Sequence, residues 1–474
     1  MRFLAERVLV AAAFAVAGCA NIPADRGYGD VRRQVADRGV ELTDASGAER
    51  STLVGEILAS PLTPDAAVRV AFVNNPRQQM EYARLGLSGA EVIQAGRLSN
   101  PTLAASWQTS SRTSDSSRYD FGLTQNFSEL LLLGARTRFS EGEFERAKLD
   151  ATQRLLDLAA RVQAAYYDVV GARQVAQMRS AVASAANASA ELAARFKDAG
   201  NINALELAIE QAAASQASLD HERAEAEAAS AASVLNELMG LDPGAQWQTA
   251  SALPMPVAAE DPIDELQQLA QQQRADLDSN RRAVVLLEDA LGLARSYRYL
   301  GEVQVGAQYE RDTDGSRLIG PSLSLQLPVF NQGQAAILRA QALLDAARAD
   351  VRAKELEISN AVQAANDRVM AARQRIHRIA NETIPLREQI VARSQEQTNY
   401  MLLGVFELLR AKQDEYTTYQ QYLEAVRDYW RARVELAHAV GGRLPSDQSF
   451  PIPDAAPAAA AGTSIGPDHN HHGE

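Results

Sequence analysis

Residues 119 to 134 read YDFGLTQNFSELLLLG, and residues 318 to 334 read LIGPSLSLQLPVFNQGQ. Each stretch alternates polar and apolar residues, breaks at a turn and feeds a long alanine-rich run, so the chain reads as a duplicated strand-then-helix unit. A second alternating segment precedes each. In the first pair, Leu103, Ala105 and Trp107 alternate with Ala104, Ser106 and Gln108, and Tyr119, Phe121, Leu123 and Phe127 with Asp120, Gly122, Thr124 and Asn126. In the second pair, Val303, Val305, Ala307 and Tyr309 alternate with Gln304, Gly306, Gln308 and Glu310, and Ile319, Leu323, Leu325 and Leu327 with Gly320, Ser322, Ser324 and Gln326. Period two with one apolar and one polar face is the pattern of a barrel strand between lipid and a wet lumen, although a soluble sheet shows it too. Four strands cannot close a barrel, because the smallest have about eight. Open edges in hydrocarbon are forbidden by the cost of unpaired backbone groups, so the membrane reading demands an oligomer.

Composition narrows the function. The 474 residues carry a formal charge of −13, which excludes nucleic acid as a partner because phosphate binding needs a basic face. Arg2 and Arg7 flank the short apolar run Val8 to Ala17, which reads as a secretory signal over residues 1–18. It ends in Val16-Ala17-Gly18-Cys19, similar to a bacterial lipobox. Cys19 is the one cysteine in the chain, so no internal disulfide can form, and its thiol is the expected lipidation site, palmitate included. Ala20 stands where an inner-membrane lipoprotein carries Asp, so residues 19–60 read as a lipid-anchored segment at the outer membrane. Beyond residue 18 no run of 18 to 20 apolar residues follows, so any crossing must use strands.

The remainder reads as helix. From about residue 136 to 199, Leu155, Leu158, Ala159, Val162, Ala165, Tyr166 and Val169 mark a stripe at spacings of three and four. In the second repeat Ala340, Leu344, Ala347, Val351, Ile358, Ala361 and Ala365 fall on heptad positions, with Lys354 the exception. Return helices are expected from about Ala204 to Met239 and from about Phe406 to Val440, the last with Tyr416, Tyr419, Leu423, Val426 and Trp430 in register. Such stripes are packing seams.

The tandem strand hairpins, the Leu-Pro-Val-Phe-Asn-Gln-Gly-Gln run at residues 327–334, and the segments Phe196-Lys-Asp-Ala-Gly200 and Tyr400-Met-Leu-Leu-Gly404 together resemble the TolC-like outer membrane efflux family, over about residues 60–442. The resemblance implies a mainly α-helical chain with a transmembrane β-barrel portion: a homotrimer whose protomers give four strands each to a twelve-stranded barrel, above a helical periplasmic tunnel. It implies an outer membrane duct served by a periplasmic adaptor and an inner-membrane pump, for example of the resistance-nodulation-division type, and no catalysis. The repeats would span residues 61–240 and 265–442, around a Pro-rich connector at 241–264.

Carried onto this sequence, the resemblance makes Pro328, Asn331 and Gly333, with Gly134 as their counterpart, the turns from barrel to tunnel. Gly200 and Gly404 become the turns at the helix tips. Glu206 and Glu407 fall where the family has acidic residues around its closed aperture, and Arg410 stands where a second acid is expected. An ion pair within or between protomers is the expected consequence.

After Gly442 the chain turns to Pro, Ala and Gly, and residues 443–474 read as a disordered tail. The tail closes with His469, His471 and His472 beside Asp468 and Glu474, a donor set for Cu or Zn. If functional, it points to metal-ion efflux rather than drugs. No nucleophile triad, phosphate-binding glycine loop or zinc-protease motif occurs, and His221, His377 and His438 are scattered singly on helices. Two other readings compete: a coiled-coil periplasmic adaptor lipoprotein without a pore, and a metal-binding periplasmic protein.

Overall fold

The computed structural model describes residues 25–42, 48–109, 117–299 and 301–449. The first elements are α1 (Tyr28–Ala36) and α2 (Ala48–Leu58). The first repeat then runs α3 (Pro64–Asn74), α4 (Pro76–Ala95), β1 (Thr102–Gln108), β2 (Arg118–Asn126), α5 (Ser128–Asp198) and α6 (Ala204–Met239). The second runs α7 (Ile263–Gln273), α8 (Ala275–Ser296), β3 (Val303–Arg311), β4 (Arg317–Leu325), α9 (Gln334–Arg378), a π-turn (Ile379–Thr383), α10 (Ile384–Asn399) and α11 (Val405–Val440), followed by α12 (Pro445–Ser449). The duplication is therefore larger than its strands: each copy opens with a short and a longer helix before its hairpin.

The stripe on α5 is buried throughout, from Leu155 to Val169, and forms the principal core with α3, α11 and the end of α6. On α9 the core face carries Leu344, Ala347, Ile358, Val362, Ala365 and Val369, whereas Ala361 is exposed. Spacings of four, three and four from Ile358 to Val369 replace the strict seven-residue repeat, because 3.6 residues per turn drift off a heptad. The 71 residues of α5 are unbroken and span about 107 Å at 1.5 Å per residue. Its counterpart is interrupted. Pro385 lacks an N–H, and just before it the Ile384 N–H reaches back five residues to the Ile379 carbonyl, making the π-turn.

The return helices end by matching devices. Gly240 (φ 69°) and Gly441 (φ 93°) are left-handed caps, and each lies against the break between the paired short helices of its repeat. At Gly240 an added Cβ would meet the Asn74 carbonyl oxygen at 2.8 Å, and at Gly441 the Arg274 Cα at 3.2 Å. Asn75 Nδ2 donates to the Leu238 carbonyl (2.7 Å) in the first repeat. In the second, Arg274 donates to the carbonyls of His438 and Ala439 while its guanidinium pairs with Asp276 (2.6 Å).

The connector after α6 is irregular but firmly held. Trp430 donates to the Pro254 carbonyl (2.8 Å), and Arg373 to that of Val257 (2.8 Å). Glu260, its side chain 7% exposed, accepts from Arg373 on α9 (3.2 Å), the Tyr429 hydroxyl on α11 (2.6 Å) and Arg433, which is 3% exposed and also binds Asp447 (2.7 Å). Burial, then the hydrogen bond to Glu260, push the Tyr429 hydroxyl far above its usual value, so it remains a donor at any ordinary pH. Nearby, Asp157 on α5 bonds His438 on α11 (2.6 Å) and Gln153 (2.8 Å). Burial raises the Asp157 carboxyl, but these two bonds together with the electrostatic pull of His438 and Arg274 outweigh it and hold it below the usual carboxylate value. The stability Asp157 contributes is thus present above the unfolded carboxylate value and lost as the pH falls through the lowered one.

Removing one partner of a buried ionic group leaves the other uncompensated. Glu260→Ala is expected to cost about 3 kcal/mol and to expose the connector to proteolysis first, measured by thermal melting and limited digestion. Asp157→Asn should melt below the parent at neutral pH, with the gap closing as the pH falls through the lowered carboxylate value.

Candidate functional site

All four strands form one antiparallel sheet in the order β1-β2-β3-β4, so the ladder between β2 and β3 joins the two repeats. Cross-strand register sorts the side chains into two faces. One carries Leu103, Ala105 and Trp107; Tyr119, Phe121 and Leu123; Val303, Val305, Ala307 and Tyr309; and Ile319, Pro321, Leu323 and Leu325. Trp107 is 77% exposed and Ile319 83%. The other face carries Thr102, Ser106, Gln108, Asp120, Thr124, Asn126, Gln304, Gln308, Glu310, Ser322 and Ser324, with Leu318 the exception. There Arg118 bridges Glu310 (2.6 Å) and Asp120 (3.4 Å), and the Ser106 hydroxyl donates to Asp120 (3.1 Å). Among the described residues the outer edges of β1 and β4 have no strand beside them, and Pro321 sits in an edge strand, where a missing N–H is tolerated.

The sheet passes into the helices by compact turns. Ser128 Oγ donates to the Gly301 carbonyl (3.0 Å) and accepts from Val303 N–H (2.7 Å), fixing the start of α5 against β3. The expected turns at Pro328, Asn331 and Gly333 lie in the irregular stretch between β4 and α9: Asn331 Oδ1 accepts from Gly333 N–H (3.1 Å), and Gly333 (φ 76°) is the N-cap of α9. Gly134 is not their counterpart. It lies inside α5, and the chain has already turned at Phe127, the N-cap of that helix. With no neighbour within 4 Å of an added Cβ, nothing at Gly134 calls for a break in the helix.

At the far end the two tip turns lie together, Phe196 against Phe406 with ring centroids 6.3 Å apart. Both helices close by the same cap. Asn201 N–H bonds Phe196 O (2.8 Å) and Gly200 N–H bonds Lys197 O; Leu402 N–H bonds Gln397 O (2.9 Å) and Met401 N–H bonds Thr398 O. Gly200 (φ 78°) therefore corresponds to Met401 (φ 60°), not to Gly404, which is extended (φ −71°, ψ 148°) and serves as the N-cap of α11. The match in sequence had aligned the wrong glycines, because Met gives no sign of a left-handed residue. Glu206 and Glu407 also occupy equivalent places. Glu206 accepts from Asn203 N–H (2.9 Å) while Asn203 Oδ1 accepts from Glu206 N–H (2.9 Å), a capping box, and Glu407 accepts from Gly404 N–H (3.4 Å). The spacing Asn203-x-x-Glu206 was the sequence signal for it.

No family model matches the chain. Protein CyaE of Bordetella pertussis is 27% identical over 316 residues, which cover 60% of this chain and 65% of CyaE, just under two thirds of its length. The cobalt-zinc-cadmium resistance protein CzcC of Cupriavidus metallidurans is 27% identical over 349 residues, covering 70% of this chain and 78% of CzcC. The solved outer-membrane channel OprN superposes with a TM-score of 0.68 at 17% identity, over 85% of this chain and 97% of its own. This is the fold of the outer membrane channels.

The resemblance to the TolC-like family read from the sequence is thereby borne out. Arg410 is exposed and, among the described residues, forms no ion pair with Glu206 or Glu407 of the same protomer, so of the two expected ion pairs the one within a protomer does not form in this structure. Both carboxylates are instead turned back onto their own helix starts. Cys19 and His469, His471 and His472 lie outside the described residues. Among the described residues, no group of three His, Cys, Asp or Glu is placed to hold a metal, and no helix is long and apolar enough to cross a membrane.

A left-handed non-glycine residue costs about 1 to 2 kcal/mol. Gly200→Ala should lower stability by about 1 kcal/mol, whereas Met401→Gly should leave it unchanged or raise it by up to about 1 kcal/mol. Thermal melts of the two variants decide this, and a substantial loss in Met401→Gly would contradict the assignment.

Proposed function

We propose that this chain is the outer membrane component of a tripartite efflux system, a passive duct that performs no chemistry. The observation that carries the reading is the exposed amphipathic sheet with two unpaired edges, set on helices of about 107 Å and about 54 Å. An apolar face of that extent in water would be an aggregation site, and its edges in lipid would leave backbone groups unpaired. Pairing β4 of one protomer with β1 of the next removes both problems. Three protomers give twelve strands, an even-numbered closed barrel whose polar face lines the lumen.

In this reading the repeats at residues 61–240 and 265–442 form barrel and tunnel, and Cys19 carries a lipid in the outer membrane. The tips meet a periplasmic adaptor, and an inner-membrane pump supplies the energy. CzcC is a cobalt-zinc-cadmium resistance protein, which favours metal ions as cargo over drugs. The histidines of the tail, His469, His471 and His472, would then capture Cu or Zn at the duct.

Glu206, Glu407 and Arg410 are proposed to ring the aperture at the tips across protomers. Glutamine preserves a capping box but removes the charge, and alanine removes both. Glu407→Gln and Arg410→Ala should therefore both raise resting conductance in planar bilayers if charge closes the aperture. Should only Glu407→Ala open it, the cap and not the charge is responsible. The parent protein extracted from membranes should run as a trimer, and its deletion strain should lose tolerance to cobalt, zinc, cadmium or copper. A monomer with no conductance would overturn the reading.

A further inference from the structure

At the hairpin end of the sheet, Trp107, Tyr119, Arg311 and Arg317 are successive cross-strand partners, so the four residues form one row across all four strands. The row lies on the apolar face. Below it come Ala105, Phe121, Tyr309 and Ile319, then Leu103, Leu123, Ala307 and Pro321. At the opposite end the same face closes on Val303 and Leu325, with no charge. The two ends of the apolar band thus differ: one is aliphatic, the other aromatic and cationic.

Two arginines directly opposite each other on neighbouring strands repel, and such pairs destabilise a sheet unless an anion lies between them. Among the described residues neither Arg311 nor Arg317 forms an ion pair, and the Arg311 Nε is buried without a hydrogen-bond partner. Among the described residues, the two carboxylates of the loop between β3 and β4 accept hydrogen bonds within that loop. Asp312 accepts from Thr313 N–H (2.7 Å), and Asp314 accepts from Ser316 N–H (2.8 Å). On the other face, by contrast, Arg118 is matched by Asp120 and Glu310.

We propose that Arg311 and Arg317 bind the phosphate of a lipid headgroup in the outer leaflet, with Trp107 and Tyr119 seated beside it at the headgroup level. The proposal rests on the channel reading, which puts the hairpin ends at the outer leaflet. Guanidinium forks match phosphate oxygens bidentately, and one phosphate between the two would turn the repulsion into attraction. Trp and Tyr favour the membrane interface, where an apolar ring meets a wet edge. The row is continuous with the lipid-facing side and remote from the lumen, which selects a lipid phosphate over a free one.

The test uses the full-length protein in detergent, titrated at low salt with bisphosphorylated lipid A, with the same lipid stripped of phosphate, and with inorganic phosphate. The parent should prefer the phosphorylated lipid by about 25-fold, about 5-fold for each arginine. R311Q/R317Q should lose that preference, while R118Q on the opposite face keeps it. Should the double variant fail to assemble, Arg317→Gln alone, at an exposed position, should lose about 5-fold. No preference in the parent, or full preference in R311Q/R317Q, would overturn the site. Displacement by inorganic phosphate as effective as by lipid would overturn the lipid assignment. A parent that conducts but shows no preference refutes only this site, whereas one that neither inserts nor assembles refutes the channel reading.

Discussion

Backbone hydrogen bonding at the two ends of one small sheet governs this structure. Each unpaired N–H or C=O in hydrocarbon costs several kcal/mol, and a nine-residue edge strand presents a row of them. The register of β1 to β4 puts nearly all the apolar side chains on one face, so the sheet is unsuited to water, and its edges make it unsuited to lipid as a single copy. The helices follow from the same requirement. They hold β2 against β3 through Ser128 and Gly301, so that two hairpins from distant parts of the sequence act as one surface.

The two repeats differ along the helix pairs that lead to the tips. In the first, α5 is continuous, and alanines near the tip (Ala183, Ala186, Ala214, Ala217) give the helix pair its own small core. In the second, the π-turn and Pro385 interrupt the path to the tip, and α10 has no buried residue at all. Polar contacts hold that pair instead. Tyr419 donates to Glu388 (2.6 Å), an acceptor that, with burial second, pushes the hydroxyl up to about 12, and Arg387 pairs with Asp414 (3.0 Å).

Much of this was legible in the sequence for a physical reason. Alternation in Val303 to Tyr309 reports a two-sided strand, and the stripe from Leu155 to Val169 reports a buried helix face, because both patterns depend only on local geometry. What escaped depends on distant partners or backbone conformation. Nothing in Met401 announces a left-handed turn, since glycine normally takes that place. The resemblance made Gly134 a turn to match Gly333, yet an exposed glycine costs a long helix only about 1 kcal/mol, which its neighbours absorb. The clamps at Asn75 and Arg274 join residues more than 160 positions apart. The strands could be read singly, but the row of Trp107, Tyr119, Arg311 and Arg317 exists only once the register is known.

The matched caps at Gly240 and Gly441 have a mechanical consequence. Each return helix is clamped at one end, by the glycine seated on its clamp and, for α11, by the cluster around Glu260, while towards the tip it packs only along its partner helix, through small alanines in the first repeat and polar contacts in the second. A tilt at the clamp is carried along the helix to the tip. With 36 residues in α11, a tilt of 5° at the fixed end would carry the tip sideways by roughly 5 Å. The position of the tip is therefore set about 40 Å away from it, at the buried carboxylate of Glu260.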